Sequence, residues 1–156
     1  MNADSRQRVE DYLRTQRVAT LATMAGDGPW AAAVFYASDS ETLYFLSSPN
    51  SRHCRNLEQD PRAAATIQGD YGDWREIKGV QMEGMVRPLS GADETRARRL
   101  YGEKFPLIGK MESAAAPIVA ALRRVRWYRL KPTRLFFIDN SVSFGHREEI
   151  IPVSDD

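Results

Sequence analysis

Three strand-like segments follow one another early in the chain, with too few residues between them for a helix. Residues 18–24, 30–36 and 42–47 are rich in β-branched, aromatic and small apolar side chains. The sequence GDGP at 26–29 separates the first two segments, and the polar stretch 38–41 separates the next two, as in tight hairpins. Because a doubly wound parallel sheet needs a helix after most strands, this succession favours antiparallel pairing.

The rest of the chain adds strands and places most of its helices late. Further runs with strand composition lie at 63–68, 80–89, 127–130 and 135–139. Gly84, inside the second of these runs, predicts a β-bulge or a close backbone approach. Helices are predicted at 4–16 and 92–103, in a short segment after Ser51, and in pieces between 105 and 125. We therefore expect a mainly β protein, a small antiparallel barrel of about six strands with flanking helices.

Length and composition are those of one domain. The 156 residues, of which 42% are apolar, are expected to form a single domain over 1–156. An N-terminal helix (1–16) opens this domain. A polar C-terminal tail (140–156) closes it, with Phe144 and residues 150–151 as candidate anchors.

Charge and cysteine content restrict the partners. With 22 basic and 21 acidic residues the net charge is +1, which gives little general attraction to nucleic acid or to anionic membranes. The single cysteine, Cys54, allows no intrachain disulfide. The N-terminus lacks the apolar centre of a secretory signal, and the apolar stretch 114–122 is too short to span a bilayer. We expect a cytoplasmic protein that binds neither nucleic acid nor membranes.

The segment SSPNSRHCRNLEQDP at 47–61 places cations where a short helix begins. A helix N-terminus already carries partial positive charge, so Arg52 and His53 are locally unfavourable there unless an anion binds between them. Free backbone N–H groups, serine hydroxyls and a guanidinium suit a dianionic phosphate. The alternative is a solvated helix in which Arg55 pairs with Glu58.

Several motifs, in register, resemble the FMN-binding split barrels related to pyridoxamine 5'-phosphate oxidase. They are the Ser-Arg-basic segment at 51–53, the hairpin GDGPWAAAVFY, the strand RAAATI and the strand GVQMEGMVRPL. The likeness covers residues 18–89 and extends more loosely to WYRLKPTRLFFID at 127–139. The continuation DNSVSFG at 139–145 is similar to a small branch of this group. The resemblance implies a six-stranded antiparallel split β-barrel that binds FMN as a homodimer, with the cofactor between the subunits.

The resemblance also implies which residues contact the cofactor. The FMN phosphate falls on Ser51, Arg52 and His53, preceded by the strand end Leu46 and Ser47. Gln81 matches the Gln-x-x-Gly glutamine whose amide reaches the flavin, expected from the partner subunit. The second strand is implied to run beneath the isoalloxazine and ribityl groups; its residues are Ala31, Ala32, Ala33, Val34, Phe35 and Tyr36.

Departures from the family pattern limit the function. His53 stands where lysine is usual, so phosphate binding is expected to depend on pH. Ala31 and Tyr36 stand where the true oxidase has arginine and lysine, so vitamin B6 oxidation is not expected. We expect a flavin-dependent oxidoreductase for a small organic molecule, with no catalytic side chain identifiable. The alternative is a non-catalytic protein that binds flavin, deazaflavin or haem.

Three further features have weaker functional interpretations. Six basic residues between 123 and 134 surround Trp127 and Tyr128, a composition that can bind single-stranded nucleic acid but is more typical of a solvated strand face or dimer rim. His146 is the candidate axial ligand if the cofactor is haem. No metal site is expected, because the histidines lack ligand partners at suitable spacing.

Overall fold

All seven strands in the described residues, 3–110 and 115–154 of the computed structural model, pair antiparallel in one sheet. The helices are α1 (Ala3–Thr15), α2 (Arg52–Gln59), α3 (Gly91–Lys104), α4 (Pro106–Gly109) and α5 (Ala116–Arg123). The strands are β1 (Val18–Ala25), β2 (Gly28–Asp39), β3 (Thr42–Ser47), β4 (Arg62–Gln68), β5 (Lys78–Pro88), β6 (Arg126–Asp139) and β7 (Arg147–Ile150). Parts of the predicted N-terminal helix, helical pieces and tail, at 1–2, 111–114 and 155–156, lie outside the described residues.

Six of the strands close into a barrel, as predicted. The order in the sheet is β3-β2-β1-β4-β5-β6-β7, and a further pairing between β3 and β6 closes the ring. β6 can make this closure because its 14 residues are enough to pair with more than one strand along the same edge. Its first part pairs with β3 and its last part with β7. The two strands predicted at 127–130 and 135–139 are therefore one continuous strand.

The C-terminal segment is more ordered than the predicted polar tail. Residues 147–150 form β7 on the outer edge of β6, and Ile150 is fully buried, so this candidate anchor is confirmed. Phe144 is 76% exposed and anchors nothing in the core. The Arg6 guanidinium pairs with the buried carboxylate of Glu41 and donates to the Ile151 carbonyl at 2.7 Å, which ties the segment to α1.

Two glycines have the local geometry that the sequence predicted. Gly28 closes the two-residue β1–β2 hairpin with φ 97°, a conformation that L side chains rarely adopt. At Gly84 the pairing of β5 with β6 shifts register, which is the predicted bulge. A Cβ added at Gly84 would overlap the Lys131 carbonyl oxygen and lie 2.8 Å from the Pro132 Cα, so the predicted close approach is also confirmed.

The barrel interior is filled by alternate residues of the strands and sealed by α1. Val9 and Leu13 of α1 are fully buried in the main core, together with Tyr36 and Phe45 of the strands. The Tyr36 hydroxyl donates to the Leu13 carbonyl at 2.7 Å. A second, smaller cluster lies under α3, which buries Ala97 and Tyr101.

Candidate functional site

The first turn of α2 lies at the rim of the barrel beside the β1–β2 hairpin. Ser51 is its N-cap, with extended backbone (φ −65°, ψ 152°) and a side-chain oxygen that accepts from the Cys54 amide at 3.3 Å. Cys54 and Leu57 form its apolar face and are buried. The amides of Arg52 and His53 stand in the first turn, where a helix offers them no acceptor.

The guanidinium of Arg52 lies over an aromatic ring, and one of its N–H groups has no hydrogen-bond partner. Its Cζ lies 4.4 Å from the centroid of the Trp30 ring, and its Nη2 donates to the Asp27 carbonyl at 3.3 Å. Its Nε is buried without a hydrogen-bond partner. A buried donor without an acceptor costs about 1–3 kcal/mol. Arg52 is therefore positioned by the hairpin and retains an unsatisfied donor.

The His53 ring lies within hydrogen-bonding distance of two serine hydroxyls, one at the end of β3 and one at the start of α2. Its Nε2 lies 2.8 Å from the Ser47 Oγ and 3.3 Å from the Ser51 Oγ. Burial lowers the pKa of His53 from its ordinary value of 6.5, which favours the neutral ring in the protein without an anion. A dianion beside the ring would raise this pKa again.

The acidic groups within the described part of the chain do not form ion pairs with this turn. Within the described residues, no carboxylate oxygen lies within 4 Å of the charged nitrogens of Arg52, His53 or Arg55. The ion pair expected under the alternative interpretation, Arg55 with Glu58, is not formed there. The turn therefore has a positive guanidinium, two first-turn amides and two serine hydroxyls close together in the chain, a donor set that fits a phosphate.

The predicted cofactor strand alternates between the core and the exterior. Ala31, Ala33 and Phe35 of β2 are exposed, Ala32 is half-buried, and Val34 and Tyr36 are buried. Burial raises the pKa of the Tyr36 hydroxyl, which is already bonded to α1. Because the side chains of Val34 and Tyr36 are buried, these residues can offer only their backbone groups to a ligand bound outside the barrel. The half-buried Leu46 packs against the smaller core cluster, while Ser47 lies within reach of His53.

Gln81 is not brought to the α2 turn within one chain. Cross-strand partners run in one row around the outer face, from Ala33 of β2 to Thr20, Thr66, Gln81 and Phe136. Gln81 is thus three strands away from Ala33, roughly 14 Å at the usual strand spacing. Its exposed amide has no partner within the described chain.

The structure adds residues that the sequence did not assign to the turn. Trp30 is one of these residues, and its contact with Arg52 depends on the hairpin folding back toward α2. The buried Asn56 donates from Nδ2 to the Thr23 Oγ1 at 3.0 Å and fixes α2 to β1. The signal in the sequence for this contact was the polar Asn56 itself, which lies between the apolar residues Cys54 and Leu57.

Other predicted features are placed differently. Trp127 and Tyr128 are buried in the two core clusters, so they cannot stack on nucleic-acid bases from the basic segment. His146 is half-buried in the turn before β7. The described residues contain no group of three His, Cys, Asp or Glu side chains placed to hold a metal ion. None of the described helices combines the length and apolar composition needed to cross a membrane.

Solved structures with the same architecture define the class of protein. HutZ, the haem storage protein of Vibrio cholerae, superimposes with a TM-score of 0.67 at 19% identity, covering 83% of this chain and 91% of HutZ. A haem binding protein of Mycobacterium smegmatis gives a TM-score of 0.70 at 21% identity, covering 91% of this chain and 57% of that chain. At these identities the likeness shows the fold, a split β-barrel.

Sequence comparison then defines the family. Residues 5–139 match the family of pyridoxamine 5'-phosphate oxidase. A UPF0306 protein of Klebsiella pneumoniae is 33% identical over 138 residues, which cover 87% of this chain and 86% of the relative. The chain belongs to the pyridoxamine 5'-phosphate oxidase family, as the sequence motifs indicated.

Proposed function

We propose that this protein binds FMN as a homodimer and acts as an oxidoreductase on a small organic molecule in the cytoplasm. The observation that carries the proposal is the buried, unpartnered Nε of Arg52, held over Trp30 beside the start of α2. A protein that does not bind an anion gains nothing from a cation and an unsatisfied donor at this place.

The residues of the turn would hold the phosphate. Arg52 would donate from its guanidinium, the first-turn amides from the backbone, and Ser51 and Ser47 from their hydroxyls. His53, neutral before binding, would take up a proton and become a second cation next to the dianion. Bound FMN would supply hydride or electron transfer, and the protein would contribute its position and electrostatics.

A second copy of the chain would complete the site. The outer face of β1 and β2 exposes large apolar side chains, including Phe35 at 56%, Met24 at 52% and Val18 at 42%. Neighbouring exposed apolar groups of this kind are typical of an interaction surface. Because Gln81 is three strands from Ala33 in one chain, we assign its amide to the flavin bound by the partner subunit.

The substrate differs from that of the family's namesake. Where the true oxidase has arginine and lysine for its phosphorylated substrate, this chain has the methyl group of Ala31 and the buried ring of Tyr36. Neither side chain can bind a second phosphate. We therefore propose that the substrate is not pyridoxamine 5'-phosphate. No side chain is given a catalytic role.

Reconstitution of the purified protein tests the proposal. FMN should bind with one flavin per subunit, and size-exclusion chromatography with light scattering should give a dimer. Bleaching of the flavin absorption by NADH or NADPH would support a reductase. Flavin that stays oxidised with every donor would refute the oxidoreductase activity and support FMN binding alone. Failure to bind FMN would refute the whole proposal.

Haem binding is the second candidate because two proteins with this fold are described as haem proteins. His146 is half-buried in a turn at the edge of β6 and is the candidate axial ligand. Titration with haemin should then give a Soret band that is lost in His146→Ala. A deazaflavin is the third cofactor to test, by competition with FMN, because it could use the same phosphate-binding groups.

A further inference from the structure

An open cavity lies on the outer face of the barrel, away from the first turn of α2. Its volume is about 350 Å³, within the range of about 300–1,000 Å³ that is common for small-molecule sites. The exposed methyl groups of Ala22 and Ala64 lie in its lining and leave room for a flat group. Gln81, Phe136 and Arg147 line it as well.

Arg147 has a charge that the described protein does not neutralise. Its Cζ lies 3.8 Å from the centroid of the Phe136 ring, and no carboxylate of the described residues lies within 4 Å of its nitrogens. Arg134 also stacks on Phe136, at 5.0 Å, but its Nε donates to Glu149 at 3.0 Å and its Nη1 lies 3.9 Å from Glu83. Of these two arginines, only Arg147 keeps its donors for a ligand.

The lining defines the chemistry of a fitting ligand. Glu83 also borders the cavity and lies 3.9 Å from Arg134, which is itself bonded to Glu149, so the lining has one cation, Arg147, and one carboxylate, Glu83. The guanidinium fork of Arg147 matches a carboxylate with two parallel hydrogen bonds. Alanine methyl groups and the Phe136 ring favour the face of an aromatic ring, and the free amide of Gln81 can bond a polar substituent.

We infer that this cavity binds a planar aromatic monoanion, with its carboxylate on Arg147 and its ring over the alanines beside Phe136. The inferred site rests on the cavity and on the position of Arg147 over Phe136, and it does not require FMN to bind. That the ligand is the substrate rests on the proposed function, because Gln81 borders both the cavity and the proposed flavin site.

Calorimetric titration of the full-length protein with sodium benzoate, with and without FMN, tests the inference. Arg147→Gln should weaken benzoate binding by about tenfold or more, the usual effect of losing a charge-assisted pair. The matched control is the double variant Arg134→Gln/Glu83→Gln, because it removes an arginine from the same ring together with the cavity carboxylate beside it, and it should not weaken benzoate binding by more than about threefold. Arg147→Lys should keep part of the affinity, since the charge remains without the fork. Cyclohexanecarboxylate, a carboxylate of similar size but not planar, should bind more weakly than benzoate.

The outcomes separate this inference from the proposed function. Absence of benzoate binding, or equal losses in Arg147→Gln and the double variant, would overturn the inference even if FMN binds. Equal affinity for benzoate and cyclohexanecarboxylate would overturn the aromatic assignment. Binding that depends on Arg147 in a protein that does not bind FMN would support the cavity and refute the flavin proposal. Thermal melts of each variant ensure that any loss is not due to unfolding.

Discussion

Replacement of Arg52 by alanine should weaken FMN binding and leave the fold intact. The variant loses hydrogen bonds between a guanidinium and a phosphate, worth about 1.5–3 kcal/mol, which corresponds to a roughly 10- to 150-fold rise in Kd. This free energy needs little correction for hydrogen bonds that Arg52 already makes in the protein without FMN. The bond that Arg52 makes to the Asp27 carbonyl is 3.3 Å long, and its Nε has no partner to give up.

The expected cost to stability is small by comparison. The contact of Arg52 with Trp30 is a cation–π stack at a partly exposed position, worth about 0.5–1 kcal/mol. Removal of the unpaired Nε offsets this loss, so the melting temperature of the protein without FMN should change by only a few degrees. Quenching of flavin fluorescence gives the Kd, and circular dichroism gives the melting temperature.

Arg55→Ala is the matched control for this experiment. Arg55 lies on the same helix and has the same charge, but its side chain is exposed and lacks the aromatic stack. A general electrostatic attraction would be reduced equally by either substitution, whereas a phosphate site at the first turn requires Arg52. The reasoning is refuted if Arg52→Ala binds FMN within about twofold of the wild type, a difference below about 0.4 kcal/mol.

Four further results are expected. Because burial lowers the pKa of His53, the unfolded chain binds more protons than the folded protein below pH 6.5; stability should fall with acidification there, and less so in His53→Gln. His53→Lys should tighten FMN binding at pH 8 and flatten its pH dependence, since lysine stays charged where histidine does not. Gln81→Leu should change the flavin spectrum or midpoint potential without lowering the melting temperature, because the side chain is exposed. Gly84→Ala should lower the free energy of unfolding by about 2 kcal/mol or more, because the new methyl group meets the backbone at Lys131.

Controls and contrary outcomes are available for each of these. Gly72→Ala is the control for Gly84, since a Cβ there meets nothing within 4 Å; equal losses would contradict the bulge argument. An acid-induced loss of stability identical in His53→Gln would show that other groups cause it. Wild-type spectrum and potential in Gln81→Leu would remove Gln81 from the site.

Local features of the site were open to prediction because they depend on neighbouring residues. The Ser51 cap, the tight hairpin at Gly28 and the bulge at Gly84 each follow from the conformational limits of one residue type. The grouping of Arg52 with serine hydroxyls also followed from sequence, because a helix N-terminus gathers adjacent residues. The family motifs likewise lie within short segments.

Local residue patterns account for the strands, the turns, the helix caps and the turn with Arg52 between β3 and β4. Contacts between distant segments are needed for β6 to close the barrel on β3, for 147–150 to form β7, and for burial to lower the pKa of His53. The tertiary structure also placed Tyr36 inside the barrel, Gln81 three strands from Ala33, and Arg147 over Phe136. These features depend on pairing and burial between residues far apart in the chain. No local pattern fixes the distance between Gln81 and Ala33, the desolvation of His53 or the side of the sheet on which Tyr36 lies.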